Sequence, residues 1–120
     1  MSRRLTDKAT MRTLVAAVAI SLACVLQAAL GTTALAASTT HTVVIAAMKF
    51  EPESLTVKRG DTIVWVNKDF FPHTATAQDR GFDSRDIGTN KRWKYVAKKD
   101  GTFPYICTLH PTMRGTLIVQ

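Results

Sequence analysis

The chain has 120 residues, 46% of them hydrophobic and 21% charged, with a formal net charge of +7. That length admits one small domain and little more. No helix-turn-helix, zinc-finger spacing or aromatic–basic RNA motif accompanies the positive charge, so a nucleic-acid-binding class is set aside.

Residues 1–12 carry Arg3, Arg4, Lys8 and Arg12 against a single acid, Asp7. Residues 13–30 are then almost wholly apolar and uncharged, and Ala34-Leu35-Ala36 follows. A positive start, an apolar stretch and a small-x-small site predict a secretory signal peptide over residues 1–36, and hence a periplasmic protein. The apolar stretch is also near the length of a membrane span. The Ala34-Leu35-Ala36 site and the polar stretch after it favour cleavage over retention as an anchor, which leaves no span in the mature form. Ser2-Arg3-Arg4 falls short of a twin-arginine signal, because Thr6 and Asp7 stand where apolar residues belong. Cys24 has Ser21 three residues before it and does not read as a lipid-modified cysteine.

Residues 37–120 form the expected domain, with twelve Lys/Arg, eight Asp/Glu and a net charge of +4. Cys107 is the sole cysteine left there. An unpaired cysteine in an exported domain is a reactive thiol, an intermolecular bridge or a metal ligand.

The domain begins small and polar, and His41 there reads as solvated. Residues 43–48 are a continuous apolar run of strand length, with Met48 expected in the core. A strand follows over 55–58. Arg59-Gly60-Asp61 spells a cell-adhesion tripeptide but sits between strands as a turn. Residues 62–67 are β-branched and aromatic, a strand with Ile63 and Trp65 on one face and Val64 and Val66 on the other. A loop over 68–72 leads to a short alternating segment, 73–77, and then to a polar, turn-rich stretch over 78–90. Residues 92–96 form another strand, and Asp100-Gly101 a turn. Over 102–107, Phe103, Tyr105 and Cys107 share a face, while Pro104 marks an edge position or a bulge. Residues 115–120 alternate and close the domain. No segment sustains helical periodicity. Seven to eight short strands predict an all-β Greek-key sandwich or barrel.

The chemistry gathers at Cys107-Thr108-Leu109-His110-Pro111-Thr112-Met113, a Cys-x-x-His-x-x-Met run, with His73 lying 34 positions before Cys107. One thiolate, two imidazoles and one thioether are the ligand set of a type 1 copper centre, a compromise between the preferences of Cu(I) and Cu(II). Singly, each residue has a bland explanation: a buried cysteine, a satisfied histidine, a methionine filling the core. Together, at this spacing in a one-cysteine domain, they point to metal.

From residue 43 to 120 the chain resembles cupredoxins of the plastocyanin–amicyanin type, and amicyanin most closely. The resemblance runs through Ala47-Met48-Lys49-Phe50, Gly60-Asp61-Thr62-Ile63-Val64-Trp65-Val66-Asn67, Pro72-His73 and the stretch Gly101 to Gly115. It implies a Greek-key β-sandwich, one copper per chain and a mobile electron carrier that is not an enzyme. In that resemblance His73, Cys107, His110 and Met113 are the copper ligands. His110 is the ligand whose ring edge reaches the surface, Asn67 braces the ligand loops and Thr108 supports the cysteine. Two positions depart from the pattern. Thr74 stands where many relatives have asparagine, and Leu109 where amicyanin has proline.

Leu109, Pro111, Met113, Phe71 and Pro72 are expected around His110 as a brief docking patch. The basic run Lys91, Arg92, Lys94, Lys98 and Lys99 is either a solvated face or a means of steering an acidic redox partner. A dehydrogenase, a cytochrome c or a copper reductase would fit, met by a monomer. The rival reading, copper delivery or storage, is weakened by the presence of only two methionines, Met48 and Met113, in the mature chain.

Overall fold

The computed structural model describes Gly31 and residues 34–120. The signal peptide expected over residues 1–36 falls almost wholly outside the described residues. Residues 37–120 form one compact unit.

Eight strands run through that unit: β1 Thr40–Ala46, β2 Lys49–Glu51, β3 Ser54–Val57, β4 Thr62–Asn67, β5 Thr76–Ala77, β6 Arg92–Val96, β7 Gly101–Ile106 and β8 Arg114–Val119. They make two four-stranded sheets, ordered β2-β1-β4-β6 and β3-β8-β7-β5. The choice between sandwich and barrel is thereby settled as a sandwich. The chain changes sheet after β2, β3, β4, β5 and β6, so two neighbouring pairs, β1 with β4 and β3 with β8, run parallel.

Strand periodicity decides the core. Val43 and Ile45 of β1, Ile63 and Trp65 of β4, Tyr105 of β7, and Leu117 and Val119 of β8 are buried between the sheets. Trp65 is the hub, with ring centroids 5.6 Å from Tyr105, 5.6 Å from Phe82 and 5.4 Å from Trp93. The same inward phase continues one step past each apolar set. It puts Asn67 after Ile63 and Trp65, and Cys107 after Phe103 and Tyr105, at one end of the sandwich.

Two expectations change. The run 43–48 is not one strand. β1 stops at Ala46, Ala47 and Met48 take positive φ of 50° and 61°, and the chain returns as β2 with Ala46 opposite Lys49. Two positive-φ residues make the tight turn that suits strand twist, and they carry Met48 out of the core to 39% exposure. His41 is not solvated. It lies half-buried in β1, with Nε2 2.9 Å from Asp61 Oδ2. The basic run is exposed at Lys91, Arg92, Lys94, Lys98 and Lys99 and extends from one end of β4 to the other. The Lys91 carbonyl accepts the Asn67 N–H at the Asn67 end of β4, whereas Ala97 bonds Gly60 and Asp61 at the other end.

Pro104 pairs with Thr116 inside the β7–β8 ladder. Its carbonyl faces the other side, where it accepts the Gln78 N–H at 2.9 Å beyond the short β5. The proline nitrogen faces that side too and costs the β8 ladder no bond.

Candidate metal centre

Three loops meet at the end of the sandwich marked by Asn67 and Cys107. The first is the Ala47–Met48 turn. The second, 68–74, leaves β4. The third, 107–113, joins β7 to β8. This third loop is wound by its own backbone. His110 N–H donates to the Cys107 carbonyl at 3.2 Å, Met113 N–H to the His110 carbonyl at 2.9 Å, and Cys107 N–H to the Met113 carbonyl at 3.2 Å. Two consecutive turns therefore bring Cys107, His110 and Met113 close, with Leu109 accommodated at the exposed tip.

Cys107 is a free thiol with 0% exposure. Its Sγ lies 3.7 Å from Nδ1 of His73 and 3.7 Å from Nδ1 of His110. One donor atom from each of the three lies within 4.8 Å of the others, a group able to hold a metal ion. His73 is fully buried, His110 half-buried, and Met113 is buried at 3% exposure. The donors are thiol sulfur and imidazole nitrogen, with a buried thioether residue in the same loop. Soft sulfur with imidazole suits copper, and hard oxygen-seeking cations fit poorly.

Each donor is positioned from behind. His73 N–H and C=O pair with Ile87 in an isolated bridge, at 3.2 and 2.7 Å. Its Nε2 lies 2.9 Å from Asp69 Oδ2. A carboxylate accepting from Nε2–H leaves the Nδ1 lone pair facing the sulfur, the arrangement that orients a metal-binding histidine. Asp69 also accepts the N–H groups of Ala47 at 2.8 Å and Met48 at 3.0 Å. Burial alone would raise its pKa. The bonds from Met48, Ala47 and His73 outweigh that and hold the carboxyl below the ordinary value. Sequence reasoning missed Asp69, for which the only signal was a carboxylate four residues before His73.

Asn67 is buried and spans the pocket floor. Its Nδ2 donates to the Phe71 carbonyl at 2.8 Å and the Ile87 carbonyl at 2.9 Å, while its Oδ1 accepts Asp69 N–H at 2.8 Å. Thr74 N–H donates to Cys107 Sγ at 3.3 Å. The Thr74 hydroxyl accepts Thr108 N–H at 2.9 Å and lies 3.1 Å from Thr108 Oγ1. Threonine in place of asparagine thus still reaches across to the cysteine loop. Phe70 at 91% exposure, Phe71 at 60% and Leu109 at 47% stand open on the two ligand-bearing loops. Met113, expected among them, is inside.

With this geometry in place, three comparisons are informative. A family model described as a cupredoxin-like domain matches residues 14–119. Amicyanin of Paracoccus denitrificans is 32% identical over 81 residues, which are 63% of this chain and 62% of that protein. The chain therefore spans somewhat less than two thirds of that relative's length. Plastocyanin of Scenedesmus fuscus is 36% identical over 87 residues, covering 62% of this chain and 89% of that one. Among solved structures, an amicyanin variant in its reduced state matches with TM-score 0.62 and 33% identity, over 69% of this chain and 82% of that chain. A copper-containing nitrite reductase from Thermus scotoductus matches with TM-score 0.63 and 28% identity, over 70% of this chain and 22% of that one.

Proposed function

The chain belongs to the cupredoxin-like family, and from that premise we propose that it is a blue-copper electron carrier holding one copper through His73, Cys107, His110 and Met113. The observation that carries the proposal is the convergence of two imidazole Nδ1 atoms on one buried thiol sulfur, each at 3.7 Å. Copper in such a centre supplies a one-electron couple.

The protein's own contribution is to hold the donors still. His73 is fixed between the Ile87 backbone and the Asp69 carboxylate. Cys107 is fixed by the Met113 carbonyl and the Thr74 amide. Ligands set by sheet and loop hydrogen bonds have little to reorganise when an electron arrives. Burial of His73 and Cys107 excludes water, and the half-buried His110 is the donor through which the pocket meets the surface.

Phe70, Phe71 and Leu109 give that surface an apolar centre. Lys68, Lys91, Arg92 and Arg114 stand exposed on or beside the same loops. This combination suits a brief encounter with a redox protein of acidic rim, with charge raising the association rate more than the affinity. The Arg3 to Ala36 pattern supports export and a periplasmic setting.

The test is to add Cu(II) to the purified protein, record visible and electron-spin spectra, then reduce and reoxidise. An intense blue band with narrow copper hyperfine splitting, bleached and restored reversibly and lost in Cys107→Ser, is the expected result. A pale, irreversible spectrum would replace the carrier with a copper delivery or storage protein.

A further inference from the structure

Beside Cys107 a line of hydroxyl groups runs from the exposed Thr108 through the buried Thr74 to an exposed carboxylate. It starts at Thr108 and Thr74, whose Oγ1 atoms are 3.1 Å apart. Thr76 Oγ1 follows, 3.0 Å from Thr74 Oγ1 and 3.2 Å from Asp83 Oδ1. Thr74 is buried, Thr76 half-buried, and Asp83 exposed. Asp83 is itself held in place. It faces Thr76 in an isolated antiparallel bridge, its Oδ1 accepts Arg85 N–H at 2.9 Å, and Arg85 Nε lies 3.6 Å from its Oδ2.

Counting protons shows what this line can do. Each threonine hydroxyl has one proton to give. The Thr76 proton is placed to go to Thr74 or to Asp83, and it cannot serve both. An ionised carboxylate can only accept, and hydrogen bonds to it are the stronger ones. While Asp83 is charged, the Thr76 proton is drawn to Asp83 and withdrawn from the Thr74 oxygen. Thr74 in turn accepts both the N–H and the O–H of Thr108. The Thr108 bonds to Thr74 and the Thr76 bond to Asp83 then point the same way, from the cysteine loop toward Asp83, and aligned hydrogen bonds polarise one another. The oxygen ends face the pocket.

We propose that Asp83 is a positioning residue for the metal centre, whose charge sets the direction of the Thr76–Thr74–Thr108 hydroxyl chain and thereby the polarity around the Cys107 thiolate. This rests on the blue-copper reading. Oxygen ends facing the pocket favour the more positive, oxidised state of the centre, so the chain lowers its reduction potential. Removing the charge frees the Thr76 proton to turn to Thr74, reverses the chain and raises the potential.

A plain surface charge would also raise the potential when removed, so the experiment is a double-mutant cycle. Potentials are measured for the wild type, Asp83→Asn, Thr76→Val and the double variant. The hydroxyl chain predicts that the upward shift from Asp83→Asn largely disappears in the Thr76→Val background and returns with Thr76→Ser. An equal shift in both backgrounds would mean a through-space charge only, and the proposal falls. A second readout uses the copper-free protein. The Thr108 amide resonance is expected to move on Asp83→Asn, and to stay put when Thr76 is valine. An unmoved Thr108 amide in the threonine background overturns the chain. If no blue band forms, this second arm still decides the chain while the copper reading alone fails.

Discussion

The Asp69 carboxylate accepts the N–H groups of Ala47 and Met48 and meets His73 Nε2 at 2.9 Å. One side chain therefore fixes both a surface turn and a buried imidazole. Asp69→Ala leaves the His73 ring donor without a partner inside the protein and frees the turn. A buried donor left unsatisfied costs about 1–3 kcal/mol, and loss of the group orienting a metal-binding histidine typically weakens metal binding about 10–100-fold. Denaturant unfolding of the copper-free variant and competitive copper titration are expected to show both losses. A variant with wild-type copper affinity would mean that the Ile87 bridge alone orients His73. At this scale the sequence told an uneven story. Cys107, His110 and Met113 are legible because three donor types fall within seven contiguous residues, a spacing with little other use. Asp69 was not legible, because a carboxylate in a loop has no periodic signature. Thr76 and Asp83 become partners only through a bridge between segments that nothing local predicts.

Among the elements, the β1–β2 hairpin is where hydropathy misled. Six apolar residues in a row, 43–48, contain no Gly, Asn or Asp to announce a turn, yet Ala47 and Met48 adopt φ of 50° and 61°. A left-handed conformation costs a residue with a side chain about 1–2 kcal/mol. Its persistence is explained by Asp69, which binds both turn amides. Asn-Gly is the pair best suited to such a turn. Replacing Ala47 by Asn and Met48 by Gly together is expected to stabilise the protein by about 1 kcal/mol, read as a raised thermal midpoint. A lowered midpoint would show that the Met48 side chain contributes more than its backbone costs. Where sequence and structure agree, the reason is the period of two. β4 matches its expected bounds because Ile63 and Trp65 point one way while β-branched Val64 and Val66 point the other. β6 was likewise readable from its alternation, Trp93 and Tyr95 inward and Lys94 outward. The pairing of β1 beside β4 was not readable, since it depends on the chain changing sheets between them.

The unit of residues 37–120 has a second pole, at the end of the sandwich away from the metal centre. There Asp61 ties the start of β1 to the β3–β4 turn, accepting Thr39 N–H at 2.8 Å and Lys58 N–H at 3.0 Å and meeting His41 Nε2 at 2.9 Å. The Thr39 amide, the His41 ring and the Lys58 amide, in that order, outweigh burial and bring its pKa down from 3.8 to about 2. A carboxyl whose pKa falls on folding stabilises the folded state above its unfolded value, and that stability is lost as pH falls through the folded value. The window is therefore between about pH 4 and pH 2. The copper-free protein is expected to lose stability across it, and Asp61→Asn to start lower at neutral pH but decline less steeply there. Parallel pH profiles for the two proteins would remove Asp61 from the acid transition. The His41 contact explains why a residue expected to be solvated is ordered. It is the clasp that holds the start of β1 against the β3–β4 turn.

The unequal exposure of the two imidazoles also bears on how fast the pocket can be filled or emptied. His73 and Cys107 are sealed at 0% exposure, and His110 stands half-open on a loop closed by three backbone hydrogen bonds. Of the four proposed ligands only His110 is part-exposed, so an ion meets the pocket on the His110 side. Its passage depends on the opening of the loop from residue 107 to 113, whereas the bonds that fix His73 from behind add to its affinity and take no part in that opening. Residence time and affinity can therefore vary separately in this fold. A change at the loop tip, at Leu109 or Thr112, is expected to reset the exchange clock more than the depth of the well.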